Sequence, residues 1–309
     1  MPISQLSPEN MSGRYHYSLE NLASAMKVVA EAAASLAWPM IIAIDGSAAV
    51  GKTQIVEYLK TLGYIQMSKG LLARIYTWVY QSFNFVDRPI EEFAQVARNL
   101  EVKTIKKEGK QVVLIESEYV GSHFLDPEGI DDESGLRSDQ INQKVSWLSG
   151  QSLIVTLIHD HVREIAEKAA KDKQSLVVDG RDSVWTFLDS KLAVAKIYLY
   201  AQDHAIRFRA KERYKKKMAH DYPDVPIDPI DLKDVGEKAI QRTREDIHKS
   251  DGRLASLEEA YQLLSDGFYD EVIDTTEMTA LETFFHILLV QIKIIESLTP
   301  GLNQDFLIN

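Results

Sequence analysis

The chain has 309 residues, 45% of them hydrophobic and 26% charged, the make-up of a soluble globular protein long enough to bury its own core. Acidic residues outnumber basic ones, 46 Asp and Glu against 35 Lys and Arg, and the formal net charge of -11 argues against a general nucleic-acid or anionic-membrane surface, because both demand a basic face. Without a single cysteine, disulfides, thiolate zinc sites, iron–sulfur clusters and cysteine nucleophiles are excluded.

The first 17 residues read as a loose leader without the basic stretch and apolar run of a secretory signal. Leu19, Leu22, Met26, Val29 and Ala33 then recur at helical spacing, and Pro39 closes the pattern. Residues 1–37 are therefore expected as an N-terminal extension carrying a helix, and 38–309 as the main domain. Residues 40–45 are a continuous apolar run ending in Asp45, as suits a strand buried on both faces of a parallel sheet. A glycine-bounded turn leads into a predicted helix over 53–62. A second strand is predicted over 64–67, with helices over 69–81 and 90–100.

Residues 102–105 and 112–115, joined by Lys107-Glu108-Gly109-Lys110, read as a hairpin. The acidic, Pro- and Gly-bearing stretch 125–138 reads as an exposed loop, and helical patterns return over 140–170. Short buried strands are predicted at 176–179 and 195–200, a strongly basic helix over 203–219, and a proline-rich loop over 222–231. Helices over 232–248 and 256–264, a strand at 271–274 and a closing helix over 279–298 complete the chain. The most apolar window, 284–295, is broken by His286, Gln291 and Lys293 and is too short for a membrane span. Strands alternating with helices indicate an α/β protein around a five-stranded, mainly parallel sheet flanked by helices. The chain is read as soluble and cytoplasmic.

Gly46-Ser47-Ala48-Ala49-Val50-Gly51-Lys52-Thr53 satisfies the phosphate-loop pattern G-x-x-x-x-G-K-[ST] at every fixed position, directly after a strand and at the opening of a helix. The glycines let the backbone curl so that several N–H groups face one anion, and the following helix adds its positive N-terminal end. Lys52 can reach the β- and γ-phosphates, and the Thr53 hydroxyl is the usual Mg²⁺ ligand of such a loop. Further on, Val177-Val178-Asp179-Gly180-Arg181-Asp182 ends a strand with an acid, a glycine, a base and an acid. Asp179 could hold Mg²⁺ or its waters, Arg181 could clamp a phosphate, and Asp182 could accept from a base or sugar. The alternative is a tight turn with a surface ion pair.

Together the two motifs resemble the bacterial-type cytidylate kinase family of P-loop nucleoside monophosphate kinases. Ser68-Lys69-Gly70-Leu71-Leu72-Ala73-Arg74 falls where that family has Asp-Ser-Gly-Ala-x-Tyr-Arg. The hairpin, Leu136-Arg137-Ser138 and Ser146 fall in its monophosphate-binding insert, and Arg207, Arg209 and Arg213 in its arginine-rich lid helix. Arg242, Asp246 and Lys249 fit Arg-x-x-x-Asp-x-x-Arg with Lys as the last member, and Val272-Ile273-Asp274-Thr275-Thr276 matches the closing Ile-Asp-Thr-Ser.

The resemblance covers roughly residues 40–297. It implies a P-loop NTPase fold with a small α+β insert over 82–150 and a helical lid region over 203–250. It further implies ATP and Mg²⁺, small-molecule nucleotides as the partners, and no nucleic acid or membrane. A monomer is the expectation, with an oligomer left open.

By the same resemblance Arg74 and Arg181 would hold the acceptor phosphate, with Lys69 beside them. Ser146 and Asp182 would face the cytosine, Arg242 and Asp246 the ribose, and Lys249 would assist at the phosphate. Arg209 and Arg213, four apart on one helical face, would close over the transferring group beside Lys52. The chain departs from the family at Ser68, Lys69, Ala73 and Val184. The base-reading arginine has no clear counterpart, with Val155 or Arg163 near its position. The implied reaction moves the γ-phosphoryl of ATP to CMP or dCMP without a general base, since a monophosphate is already anionic. The alternatives are a P-loop kinase of UMP or a non-nucleotide acceptor, and a non-catalytic nucleotide-binding protein that retains the fold. His159-Asp160-His161 is not read as a metal site, because helical residues two apart do not share a face. No G-x-S-x-G elbow supports a hydrolase.

Overall fold

Strand β1 (Ile41–Gly46) is buried at every position, as an apolar run requires at the centre of a sheet covered on both faces. The computed structural model describes residues 40–108, 110–129, 134–222, 226–247 and 254–298. The expected N-terminal helix and Lys249 lie outside them. β1 pairs in parallel with β6 (Leu176–Asp179) on one side and β7 (Val194–Tyr200) on the other, so that Ile44 is flanked by Asp179 and Ile197. β7 pairs in parallel with β8 (Glu271–Asp274), and β2 (Ile65–Ser68) lies outside β6. The order is β2-β6-β1-β7-β8, the five-stranded α/β sheet expected from the sequence. This order sets the carboxyl end of β6 directly beside that of β1, the edge at which open α/β sheets bind ligands.

The described residues fall into two compact units, residues 40–66 with 168–298, and residues 67–167. In the first, helix α1 (Lys52–Thr61) buries Ile55, Val56 and Leu59 in the same core as Ile197 and Leu199 of β7. Of the later helices, the closing one holds the most apolar window of the sequence and buries Phe284, Ile287 and Leu288 in this core. Gln291 is fully buried on that helix, where its carbonyl accepts from the Tyr64 hydroxyl at 3.3 Å. Burial satisfies the apolar run within the protein and leaves one amide to be matched internally.

Helices α6 (Asp203–Asp221) and α7 (Pro229–Ile247) run antiparallel. Arg207 pairs with Glu237 at 2.9 Å and Arg244 with Asp203 at 3.1 Å. The helices approach so closely that a Cβ on Gly236 would lie 3.0 Å from Lys211. α7 begins within the stretch read as a loop over 222–231. Pro229 takes the first helical position, and the Asp228 carboxylate accepts from the Ile230 N–H at 2.7 Å. Helix α8 (Leu257–Ser265) opens with a capping box between Ser256 and Glu259, and α9 (Ala280–Leu298) is the closing helix.

The second unit holds α2 (Lys69–Ser82), α3 (Ile90–Arg98), α4 (Asp139–Leu148) and most of α5 (Ser152–Lys171). It also holds an antiparallel sheet of β3 (Glu101–Lys107), β4 (Lys110–Ser117) and β5 (Gly121–Leu125). The hairpin β3–β4 stands as expected. The third strand was not expected, because Gly-Ser-His-Phe-Leu carries no alternation and only Leu125, opposite Val113, is fully buried. Phe93 sits at the centre of this unit's core, edge-on to Tyr80 at 5.2 Å, Phe85 at 5.5 Å and Tyr76 at 6.2 Å. Truncating it to alanine removes all three contacts. Phe93→Ala is expected to cost about 3–5 kcal/mol in urea unfolding, and a loss under about 1 kcal/mol would contradict this packing.

Candidate active site

The turn from β1 into α1 is built by its glycines. Gly46 has φ 147°, and a Cβ there would collide with the backbone carbonyl of Leu199 on the neighbouring strand. Ala49 at φ 60° and Gly51 at φ 106° add two left-handed kinks, which turn successive N–H groups toward one side as in an anion-binding nest. Gly51 is the N-cap of α1, and no side chain caps the helix. Its first N–H groups are thus left for a ligand. Ser47 and Val50 are buried and pack the loop down, while Ala48 and Ala49 are partly exposed and Thr53 is exposed on the first turn of α1.

Lys52 curls back over the loop and donates to the carbonyls of Gly46 and, at 2.6 Å, Ser47. Desolvation by the surrounding protein, followed by repulsion from Arg181, pushes its ammonium down to about 7, against the pull of Asp179, Asp45 and Asp246. Lys52 thus lies within electrostatic reach of one further cation and three carboxylates.

The second signature lies against the first. The Gly180 N–H donates to the Ile44 carbonyl at 3.1 Å, and the Asp179 carboxylate accepts from the Gln66 amide at 3.0 Å. Arg181 pairs with Asp246 on α7, its Nη1 donating to Oδ1 at 3.0 Å and its Nε lying 2.8 Å from Oδ2. Asp246 is only 2% exposed. Burial lowers the Arg181 guanidinium to about 10, Asp246 and Asp182 hold it up, and Arg242 opposes it. Arg242 is exposed four residues before Asp246 and therefore on the same face of α7. The structure thus gathers Lys52, Asp179, Arg181, Asp182, Arg242 and Asp246 at one sheet edge. In place of the alternative reading, a tight turn with a surface ion pair, Arg181 makes a largely buried pair that reaches across 65 residues of sequence.

The Arg209 guanidinium is engaged with the Thr275 hydroxyl at 3.0 Å, the Thr275 carbonyl and the Met278 carbonyl at 3.0 Å. The Thr275 hydroxyl also lies 3.1 Å from the Val50 carbonyl of the phosphate loop and 2.9 Å from the Tyr200 carbonyl. Arg209 therefore ties α6, the segment after β8 and the phosphate loop together. Arg213, one turn further, is exposed.

Within the second unit, Lys69 is buried at the start of α2. Arg74 donates to the Leu136 carbonyl at 2.9 Å and the Asn142 side chain at 2.7 Å, and Ser146 is exposed on α4. Arg163 pairs with Asp160 at 2.9 Å on α5. His161 packs edge-on to Tyr76 at 6.4 Å, and burial lowers its pKa. Sequence reasoning gave no role to Asp45, Thr275 or Tyr269. Asp45 was read only as the end of an apolar run and Thr275 only as part of the closing motif. Tyr269 carries no local signal at all.

Two outcomes test this geometry. Thr275→Val keeps the shape and removes the hydroxyl, so it should lower stability by about 1–3 kcal/mol in thermal unfolding. An unchanged midpoint would remove the tie from Arg209 to the loop. The Lys52 ammonium is the form that binds phosphate. Because its pKa lies near 7 in the free protein, kcat/KM for ATP should fall as pH rises through that region, whereas kcat should hold to higher pH once phosphates stabilise the charge. A kcat/KM flat to pH 9 would contradict it.

The family model described as cytidylate kinase matches residues 42–288. A cytidylate kinase of Pelodictyon phaeoclathratiforme is 30% identical over 78% of this chain and 89% of its own length. That of Aquifex aeolicus is 24% identical over 81% and 95%, and that of Exiguobacterium 28% identical over 72% and 93%. Among the described residues no helix is long and apolar enough to cross a membrane. With a phosphate loop at the end of its central strand, an Asp-Gly-Arg-Asp turn beside it and a family match across four-fifths of its length, the chain belongs to the cytidylate kinase family.

Proposed function

We propose that the protein transfers the γ-phosphoryl group of ATP to CMP or dCMP, with residues 46–53 as the donor site. The observation that carries this reading is the juxtaposition of the uncapped, twice-kinked phosphate loop with the turn 179–182 at one sheet edge. Phosphoryl transfer asks a protein for positioning and charge compensation more than for covalent chemistry. Backbone N–H groups of Gly46, Ser47, Ala48, Ala49, Val50, Gly51, Lys52 and Thr53 would cradle the donor phosphates. Lys52 would leave the loop carbonyls to neutralise the transferring oxygens.

Thr53 and Asp179 supply a hydroxyl and a carboxylate, a hard-oxygen pair that fits Mg²⁺, which keeps most of its waters in such sites. The ion would supply charge neutralisation at the β- and γ-phosphates. Arg181 and Arg242 would hold the acceptor phosphate and sugar, with Asp246 fixing Arg181 in orientation and Asp182 available to the base. Lys69, Arg74, Ser146 and Lys249 are assigned to the acceptor by family resemblance alone, and Arg213 to the lid. A cytoplasmic, monomeric protein acting on small nucleotides completes the reading. A different acceptor such as UMP is the second reading, favoured by Lys69 and Ala73 where the family has Ser and Tyr.

An ADP-release assay with ATP and Mg²⁺ against CMP, dCMP, UMP, AMP and GMP decides between them. Turnover is expected with CMP and dCMP, and turnover confined to UMP would establish the second reading. Lys52→Ala should lower kcat by about 100-fold or more. Wild-type activity in that variant would overturn the donor site.

A further inference from the structure

The carboxylate of Asp45 is fully buried at the end of β1, one residue before the phosphate loop. A buried carboxylate persists only when hydrogen bonds replace its hydration. Here the replacements come from two distant segments. The Ser183 N–H donates to Oδ1, the Val184 N–H reaches both oxygens at 3.3 and 3.4 Å, and the Tyr269 hydroxyl donates to Oδ2 at 3.2 Å. Ser183 and Val184 follow directly on Asp182, so the carboxylate grips the far end of the turn whose near end is held by the Gly180 bond to Ile44. Tyr269 comes from the segment leading into β8. Burial and the neighbouring Asp45 charge raise its pKa, so its hydroxyl stays a donor.

We propose that Asp45 is a positioning residue that clamps the turn 179–182 to the phosphate loop, with Tyr269 holding the clamp from the far side, so that Asp179 and Arg181 keep their registration with Lys52. The proposal rests on the phosphoryl-transfer reading and adds to it a residue pair that touches neither substrate.

The test uses the full-length protein. Asp45→Asn should lower kcat/KM for ATP by about tenfold or more, with the KM for ATP raised about threefold or more. A folded variant within twofold of wild type overturns the proposal, and so does a fall in kcat with KM unmoved, since loss of folded protein lowers the apparent kcat and leaves KM as it was. Should Asp45→Asn not fold, Tyr269→Phe decides. Removing that hydroxyl should lower kcat/KM for ATP about threefold or more at a nearly unchanged unfolding midpoint, and unchanged kinetics overturn the clamp. ATP affinity by equilibrium dialysis is measured on all three proteins. A wild type that binds ATP but transfers nothing to CMP refutes the acceptor reading, and the affinities of the variants still decide the clamp.

Discussion

The structure depends on β1 lying between β6 and β7. A strand with two parallel neighbours has no free edge and no exposed face, so its sequence must be apolar on both sides, and Ile41 to Ile44 meet that demand. The chain can leave such a strand only at its end. It does so through Gly46, whose missing Cβ is what lets β7 approach. Because β6 ends opposite Ile44, two residues before β1 does, the Asp-Gly-Arg-Asp turn emerges beside the phosphate loop. Residues 46 and 179, more than 130 apart in sequence, thereby become neighbours through backbone pairing before any side chain acts.

Electrostatics then works against the composition. An acidic protein would repel a pair of anionic nucleotides unless cations were concentrated locally. Lys52, Arg181 and Arg242 provide that concentration in the first unit, and burial makes it costly. The lowered pKa of Lys52 and the ion pair of Arg181 with Asp246 are two responses to the same desolvation. One group is pushed toward its neutral form. The other keeps its charge by taking a buried partner.

Much of this was legible in the chain. The phosphate loop, the buried strands, the hairpin and the Asp-Gly-Arg-Asp turn are local patterns, and each was read within a residue or two of where it stands. The start of α7 at Pro229 was legible in principle, since Asp228-Pro229 is a helix opening, but two further prolines in the same stretch read as loop. Strand β5 was not legible, because its pairing to β4 and not its own alternation makes it a strand. Arg209 shows the other limit. Its four-residue spacing to Arg213 predicts a shared helical face, yet a face says nothing about which carbonyls wait opposite, and Thr275 and Met278 take up the guanidinium.

The sequence by itself determined the chemistry available: a nest of N–H groups, a lysine, a strand-terminal acid and an arginine-bearing turn, each encoded in fewer than ten consecutive residues. Tertiary structure alone decided how these are held. The Asp45 carboxylate meets Ser183 and Tyr269 across 138 and 224 residues, Arg181 meets Asp246 across 65, and Arg209 meets Thr275 across 66. The reason is physical. Local motifs arise from backbone torsions and short-range periodicity, which adjacent residues specify, whereas a buried polar group must find its partner wherever the packing of sheet and helices brings a donor or acceptor within reach.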